Sequence, residues 1–149
     1  MTLEEAKEWL RGKLDEGAPC PCCTQFVKVY KRSITSSAAR WLIWLVLSYK
    51  AMPPGSFVDI KRSDVRGGDY AKLRFWNLIE SQPNDDPEKR SSGMWRPTSS
   101  GVAFAMNQMT LPKYAHVFDD RVLKHSGAPV AITETLGKKF NYEELMKGL

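Results

Sequence analysis

Residues 61–101 read KRSDVRGGDYAKLRFWNLIESQPNDDPEKRSSGMWRPTSSG, and the order of parts within them narrows the folds open to the chain. A basic turn containing Gly67 and Gly68 comes first and allows a tight bend between two helices. In the stretch 69–80, Ala71, Phe75, Trp76, Leu78 and Ile79 fall on one broad side at about 100° per residue, the signature of a helix. Tyr70, Arg74, Asn77 and Ser81 line the opposite edge. Residues 82–93 are polar throughout and read as a loop. MWRPT returns as a strand, which Pro97 confines to an end or an edge. Thr98 or Ser99 then caps a further helix to about Met109. Helix, charged loop, strand and Gly-closed turn call for a small sheet beside the helix, with the loop projecting from it.

The flanking segments supply the rest of a core. A helix over residues 2–16 is expected, capped by Thr2, with Glu4 and Glu5 at its positive end and Leu3, Ala6, Leu10 and Leu14 on one side. APCPCC forms a rigid loop, and residues 26–32 alternate in part as a half-exposed strand. Ser36 or Ser37 caps a helix over 38–49 that is apolar on most sides (Trp41, Leu42, Trp44, Leu45, Val46, Leu47), the mark of a buried element. Met52-Pro53-Pro54-Gly55 ends it, and residues 57–60 read as a short strand. After Leu111-Pro112 the chain reads as a hairpin over 114–126, turning at Asp119-Asp120, with short helical pieces from Thr133 and Asn141.

These elements define an α+β class. The expected architecture is a winged helix-turn-helix core over 35–110. It is preceded by a helix, Cys loop and basic strand (1–34) and followed by a hairpin-and-helix appendix (111–149), in one domain. Five Trp and six Phe supply core-forming bulk, which argues against a disordered chain. The apolar run 41–47 is far shorter than the ~20 residues of a membrane helix. The acidic, amphipathic start does not read as a signal peptide, and three crowded cysteines make no disulfide framework, so a reducing cytoplasm is the expected home, with no membrane partner.

Charge points to the partner. The net charge of +5 is concentrated: residues 20–62 carry +6, 1–19 carry −2, 63–113 carry +1 and 114–149 are neutral. A basic middle suits double-stranded DNA, although a solvated basic face gives the same count. Arg and Asn are residue types that read guanine and adenine edges, so Tyr70, Arg74 and Asn77 are the expected base-facing set. The same stripe also fits the wet side of an ordinary amphipathic helix. Lys61, Arg62, Arg66, Lys89 and Arg90, joined by Lys31 and Arg32, are the expected phosphate contacts.

Residues 38–101 resemble the winged-helix domain of multiple-antibiotic-resistance-regulator (MarR) proteins. The likeness rests on the Leu78-Ile79 step, an Asp-containing wing with nearby Lys89 and Arg90, and Thr98 followed by Gly101. Pro97 departs from it, standing where an aliphatic residue is usual. CPCCTQFVKVYKR, with the Ser-rich cap and Trp/Leu helix that follow, is similar to small uncharacterised proteins of phages and prophages. Together the resemblances imply a phage or prophage transcriptional regulator or accessory factor in a bacterial host. Readers of this kind usually bind as homodimers. The other class of function is a phage protein-interaction module that binds and modulates a host protein, with Tyr70, Phe75, Trp76 and Trp95 as anchors.

Cys20 and Cys23 have the spacing of half a structural zinc site, which Cys22, His116 and His125 would have to complete. Reduced thiols or a redox pair fit the same spacing; otherwise no cofactor is expected. No nucleophile–base–acid set and no phosphate-cradling Gly pattern occurs, so the chain reads as a binding protein and not an enzyme.

Overall fold

A computed structural model describes residues 1–63, 65, 69–88 and 92–147. Thr2 opens α1 (Leu3–Arg11): its hydroxyl accepts from the Glu5 amide at 3.1 Å, and Glu4 and Glu5 occupy the first turn. The helix stops at Gly12, short of the expected Glu16, and only Ala6 is buried on it. β1 (Ala18–Pro19) and β2 (Phe26–Val27) form a two-stranded ladder that closes the Cys loop. The strand expected over 26–32 is therefore broken. Val29 donates its amide to the Leu14 carbonyl, and the chain re-enters extended structure only in β3 (Tyr30–Ser33), which belongs to another sheet.

The central helix is α2 (Ser36–Lys50), capped by Thr35, not Ser36 or Ser37. Ala38, Ala39, Trp41, Leu42, Ile43, Leu45 and Val46 are buried along it. Each fully buried large side chain contributes about 1.5–3 kcal/mol, so most of this helix's stability comes from its surroundings. The chain continues through β4 (Val58–Asp59) and a 3-10 turn, η1 (Ile60–Arg62), which Asp59 caps. A longer 3-10 helix, η2 (Asp69–Trp76), precedes β5 (Ile79–Ser81) and β6 (Met94–Pro97).

The helix expected over 69–80 is thus corrected in type and in length. Asn77 takes φ of +56°, the next residues straighten, and Ile79 pairs with Pro97. Sheet pairing wins over helical periodicity here because it buries Leu78 and Ile79 while satisfying the Leu78 carbonyl with the Thr98 amide at 2.9 Å. The tighter winding also changes which residues share a side. At three residues per turn, Tyr70, Leu73 and Trp76 align, and this is the side facing the core.

β6 is the middle strand of the order β4-β6-β5, all antiparallel. Pro97 sits at its last position, beyond the two residues that pair with β4, where a missing amide costs nothing. Thr98 caps α3 (Ser99–Ala105), which ends four residues before Met109. Gly101 faces the η2–β5 junction so closely that a Cβ would lie 2.0 Å from the Leu78 oxygen.

The hairpin is longer than expected. β7 (Leu111–Phe118) and β8 (Arg121–Val130) meet at Asp119 and Asp120, with φ of +48° and +63°, the primed turn that two-residue hairpins favour. β7 also pairs with β3, giving the order β3-β7-β8. α4 (Ile132–Leu136) and α5 (Tyr142–Met146) follow, the latter capped by Asn141. One core cluster joins Leu42 and Leu45 to Leu73, Leu78, Phe104, Ala115, Ile132 and Leu136. The last third is therefore part of the core and not an appendix to it. The protein is a mixed α+β fold with three antiparallel sheets among the described residues. Among those residues, no helix is long and apolar enough to cross a membrane.

Candidate nucleic-acid interface

Three polar links lash η2 to the β7–β8 hairpin. Trp76 Nε1 donates to the Pro112 carbonyl at 2.9 Å, and His125 Nε2 donates to the Phe75 carbonyl at 2.8 Å. Arg74 makes the third. Its two terminal nitrogens donate to the two carboxylate oxygens of Asp120 at 2.8 and 2.6 Å, while its Nε donates to the Ala71 carbonyl at 3.1 Å. The hydrogen bonds from Arg74, with its charge, hold the Asp120 carboxyl below the usual carboxylate range.

Arg74 stands at the side of a cleft of about 410 Å³ between η2, β3 and the Asp119-Asp120 turn. Arg32 lines it from β3 with its guanidinium 4.7 Å from the centre of the Tyr30 ring, and Lys72 lines it from η2, paired at 3.2 Å with Asp69. Lys28, just before β3, lies 5.4 Å from the same Tyr30 ring. The cleft therefore gathers three cations from two elements, with Asp119 and Asp120 also in its lining and Asp120 bound to Arg74.

The residues expected to face DNA are distributed unevenly. Tyr70 is half-buried, stacked on Trp41 with ring centres 4.6 Å apart and edge-on to Trp95 at 6.2 Å. Its role is packing, because the 3-10 winding turns it toward Leu73 and Trp76. Arg74 and Asn77 are exposed, but Arg74 is engaged by Asp120 and the Asn77 carbonyl accepts from the Thr98 hydroxyl at 2.6 Å. Tyr70, Arg74 and Asn77 do not form one displayed stripe. Lys61 and Arg62 are exposed on η1. Arg32 lines the cleft, whereas Lys31, its neighbour on a strand, points to the opposite face and lies 4.1 Å over Tyr114. Arg66, Lys89 and Arg90 lie outside the described residues, as do Gly67 and Gly68.

Two cleft residues carry no signal at helical spacing. Lys72 stands out only at a period of three, which puts it in line with Asp69 and Phe75. Asp120 carries only a turn signal, and nothing local connects it with Arg74.

Cys20 is half-exposed, Cys22 and Cys23 are exposed, and all three are free thiols. The backbone amides of Cys23 and Cys22 point at the Cys20 sulfur and pull its pKa below the ordinary thiol value. His116 and His125 do not join them: His116 is bound at 2.6 Å to the Ser126 hydroxyl, and His125 to Phe75. Among the described residues no group of three or more His, Cys, Asp or Glu is placed to hold a metal. Among the described residues, no second pair of ligands stands beside Cys20 and Cys23.

Comparison with known proteins finds no matching family model, no similar characterised protein and no similar solved structure.

Proposed function

We propose that the chain is a DNA-binding winged-helix protein. The observation that carries this reading is the element order α2, β4, η1, η2, β5, loop, β6, α3, with β6 between β4 and β5. In such a unit a helix between the first two strands is presented to the major groove, and the loop between the last two is the wing. Here η2 and residues 82–93 hold those places. Of the expected base-facing set, Asn77, exposed just after η2, keeps that role without Tyr70, and Arg74, exposed on η2 at the cleft, joins the phosphate contacts. Lys61, Arg62, Arg32 and Lys72 take the phosphate-facing role; Arg66, Lys89 and Arg90, expected to share it, lie outside the described residues. The close seat of Gly101 on Leu78 supports the proposed likeness to MarR-type domains, in which a Gly follows the wing. A phage or prophage regulator acting as a homodimer extends the reading, on the resemblance of the segment around CPCCTQFVKVYKR.

Fluorescence anisotropy with random and defined DNA duplexes tests it. With about six phosphate contacts, affinity should fall about a thousandfold between about 50 and 200 mM salt. Absence of binding at the lower salt would end the proposal.

A second reading, a module that binds a host protein, loses its expected anchors, since Phe75, Trp76 and Trp95 are buried and Tyr70 half-buried, and draws instead on Leu3, Trp9 and Phe26, which are 61%, 40% and 57% exposed. Recovery of one stoichiometric partner from nuclease-treated lysate by the wild type, lost on Trp9→Ala, is its expected result.

A further inference from the structure

The guanidinium of Arg74 is the group the DNA-binding reading most needs, and it is already occupied. Its two terminal nitrogens, the fork that would grip a phosphate or a guanine edge, are both taken by Asp120. We propose that the cleft between β3 and η2 is a phosphate-binding site of the nucleic-acid surface, filled in the free protein by the Asp120 carboxylate. This rests on the DNA-binding reading.

Three features argue for it. First, Arg32, Lys72 and Arg74 converge on a cleft of about 410 Å³, ample for a phosphodiester group. A carboxylate and a phosphate offer a guanidinium the same paired-oxygen geometry, so one can substitute for the other. Second, the fold does not need the ion pair. The side chains of Arg74 and Asp120 are 41% and 63% exposed, where such pairs add little stability, and η2 is fastened independently through Trp76 and His125. Third, the turn does not need the charge. A residue at φ of +63° in a two-residue hairpin turn is satisfied equally by Asn, Asp or Gly. What Asp brings, and Asn would not, is a negative charge aimed at Arg74.

Binding of DNA then becomes an exchange of anions. The phosphodiester displaces the carboxylate, Arg74 swings from Asp120 to the backbone, and Asp120 turns to solvent. Contacts too weak to displace Asp120 are rejected, so the arrangement lowers affinity for all DNA in return for a threshold.

The test uses full-length wild type, Asp120→Asn, Asp119→Asn, Arg74→Ala and Arg74→Ala/Asp120→Asn, with duplex DNA in an anisotropy titration. Thermal melts show that each is folded. Asp120→Asn should bind roughly two- to threefold more tightly at about 50 mM salt, with the slope of log K against log salt unchanged because Arg74 meets the same phosphate in both proteins. Asp119→Asn should gain less, and the Asp120→Asn gain should vanish when Arg74 is absent. Unchanged or weaker binding by Asp120→Asn would make Asp120 a brace for Arg74 and overturn the proposal. A gain that persists without Arg74 would reduce it to a general charge effect and overturn it equally. If no variant and no wild type binds duplex, the DNA-binding reading fails and takes this site with it. A failed exchange in a protein that binds DNA removes the site alone.

Discussion

α2 and η2 sit side by side in the core and are held there by different means. α2 is fifteen residues long, capped by Thr35, and buries seven residues, so packing secures nearly its whole length. η2 has eight residues in the poorer 3-10 geometry, buries Leu73, Phe75 and Trp76, and depends on bonds to the hairpin through Phe75 and Trp76, with the exposed Arg74–Asp120 pair adding little. An element secured by packing is insensitive to its surface. One secured by a few tethers can be adjusted by changing a tether, which suits the segment that meets a ligand.

That contrast can be broken at several points. Leu42→Ala, in the fully buried part of α2, should cost about 2–5 kcal/mol in urea unfolding. A loss under about 1 kcal/mol would mean that α2 is not the anchor. Gly101→Ala should cost about 1–3 kcal/mol or more, because its methyl would meet the Leu78 carbonyl and lever η2 from α3. Trp76→Phe keeps the packing but orphans the Pro112 carbonyl. It should cost about 1 kcal/mol and raise amide hydrogen exchange in η2 more than in α2. Equal exchange in the two helices would erase the distinction. The smallest effect belongs to Asp120. Its pKa is depressed in the fold, so the pair's contribution is complete above the ordinary Asp range and drains away as pH falls through the lower folded value. With Asp120 63% exposed, a loss of no more than about 0.5 kcal/mol on acidification is expected, absent in Asp120→Asn.

The same contrast governs what is legible in the sequence. α2 is readable because a run of apolar residues on most sides fits little besides a buried helix, and only its cap, Thr35, lies earlier than expected. The β7–β8 turn is readable because Asp119-Asp120 between two alternating segments is a local signal. η2 is not. Leu78 and Ile79 continue the helical period of 69–76, and only the distant pairing of Ile79 with Pro97 takes them out of it. With the winding changed, the stripe of Tyr70, Arg74 and Asn77 dissolves, and Tyr70 becomes a partner of Trp41. Of the expected phosphate residues, Arg32 lies in the cleft beside Lys72 and Arg74, while Lys31 points to the other face of its strand. Asp120 is hidden from any local pattern, because its partner lies 46 residues away.

The pairing of β3 with β7 has a consequence for the protein's birth. Tyr30 is matched with Val117, so β3 leaves the ribosome long before the strand that covers it has been made. At ~5–20 residues per second, that is a wait of roughly 4–17 s. Throughout it, a strand bearing Tyr30 and Arg32 has no partner along either edge, while α2 and η2 can already collapse on one another. Newly made chains therefore pass through a period in which the unpaired backbone of β3 can join another nascent copy instead of its own β7, and crowded synthesis should be where this protein misassembles first.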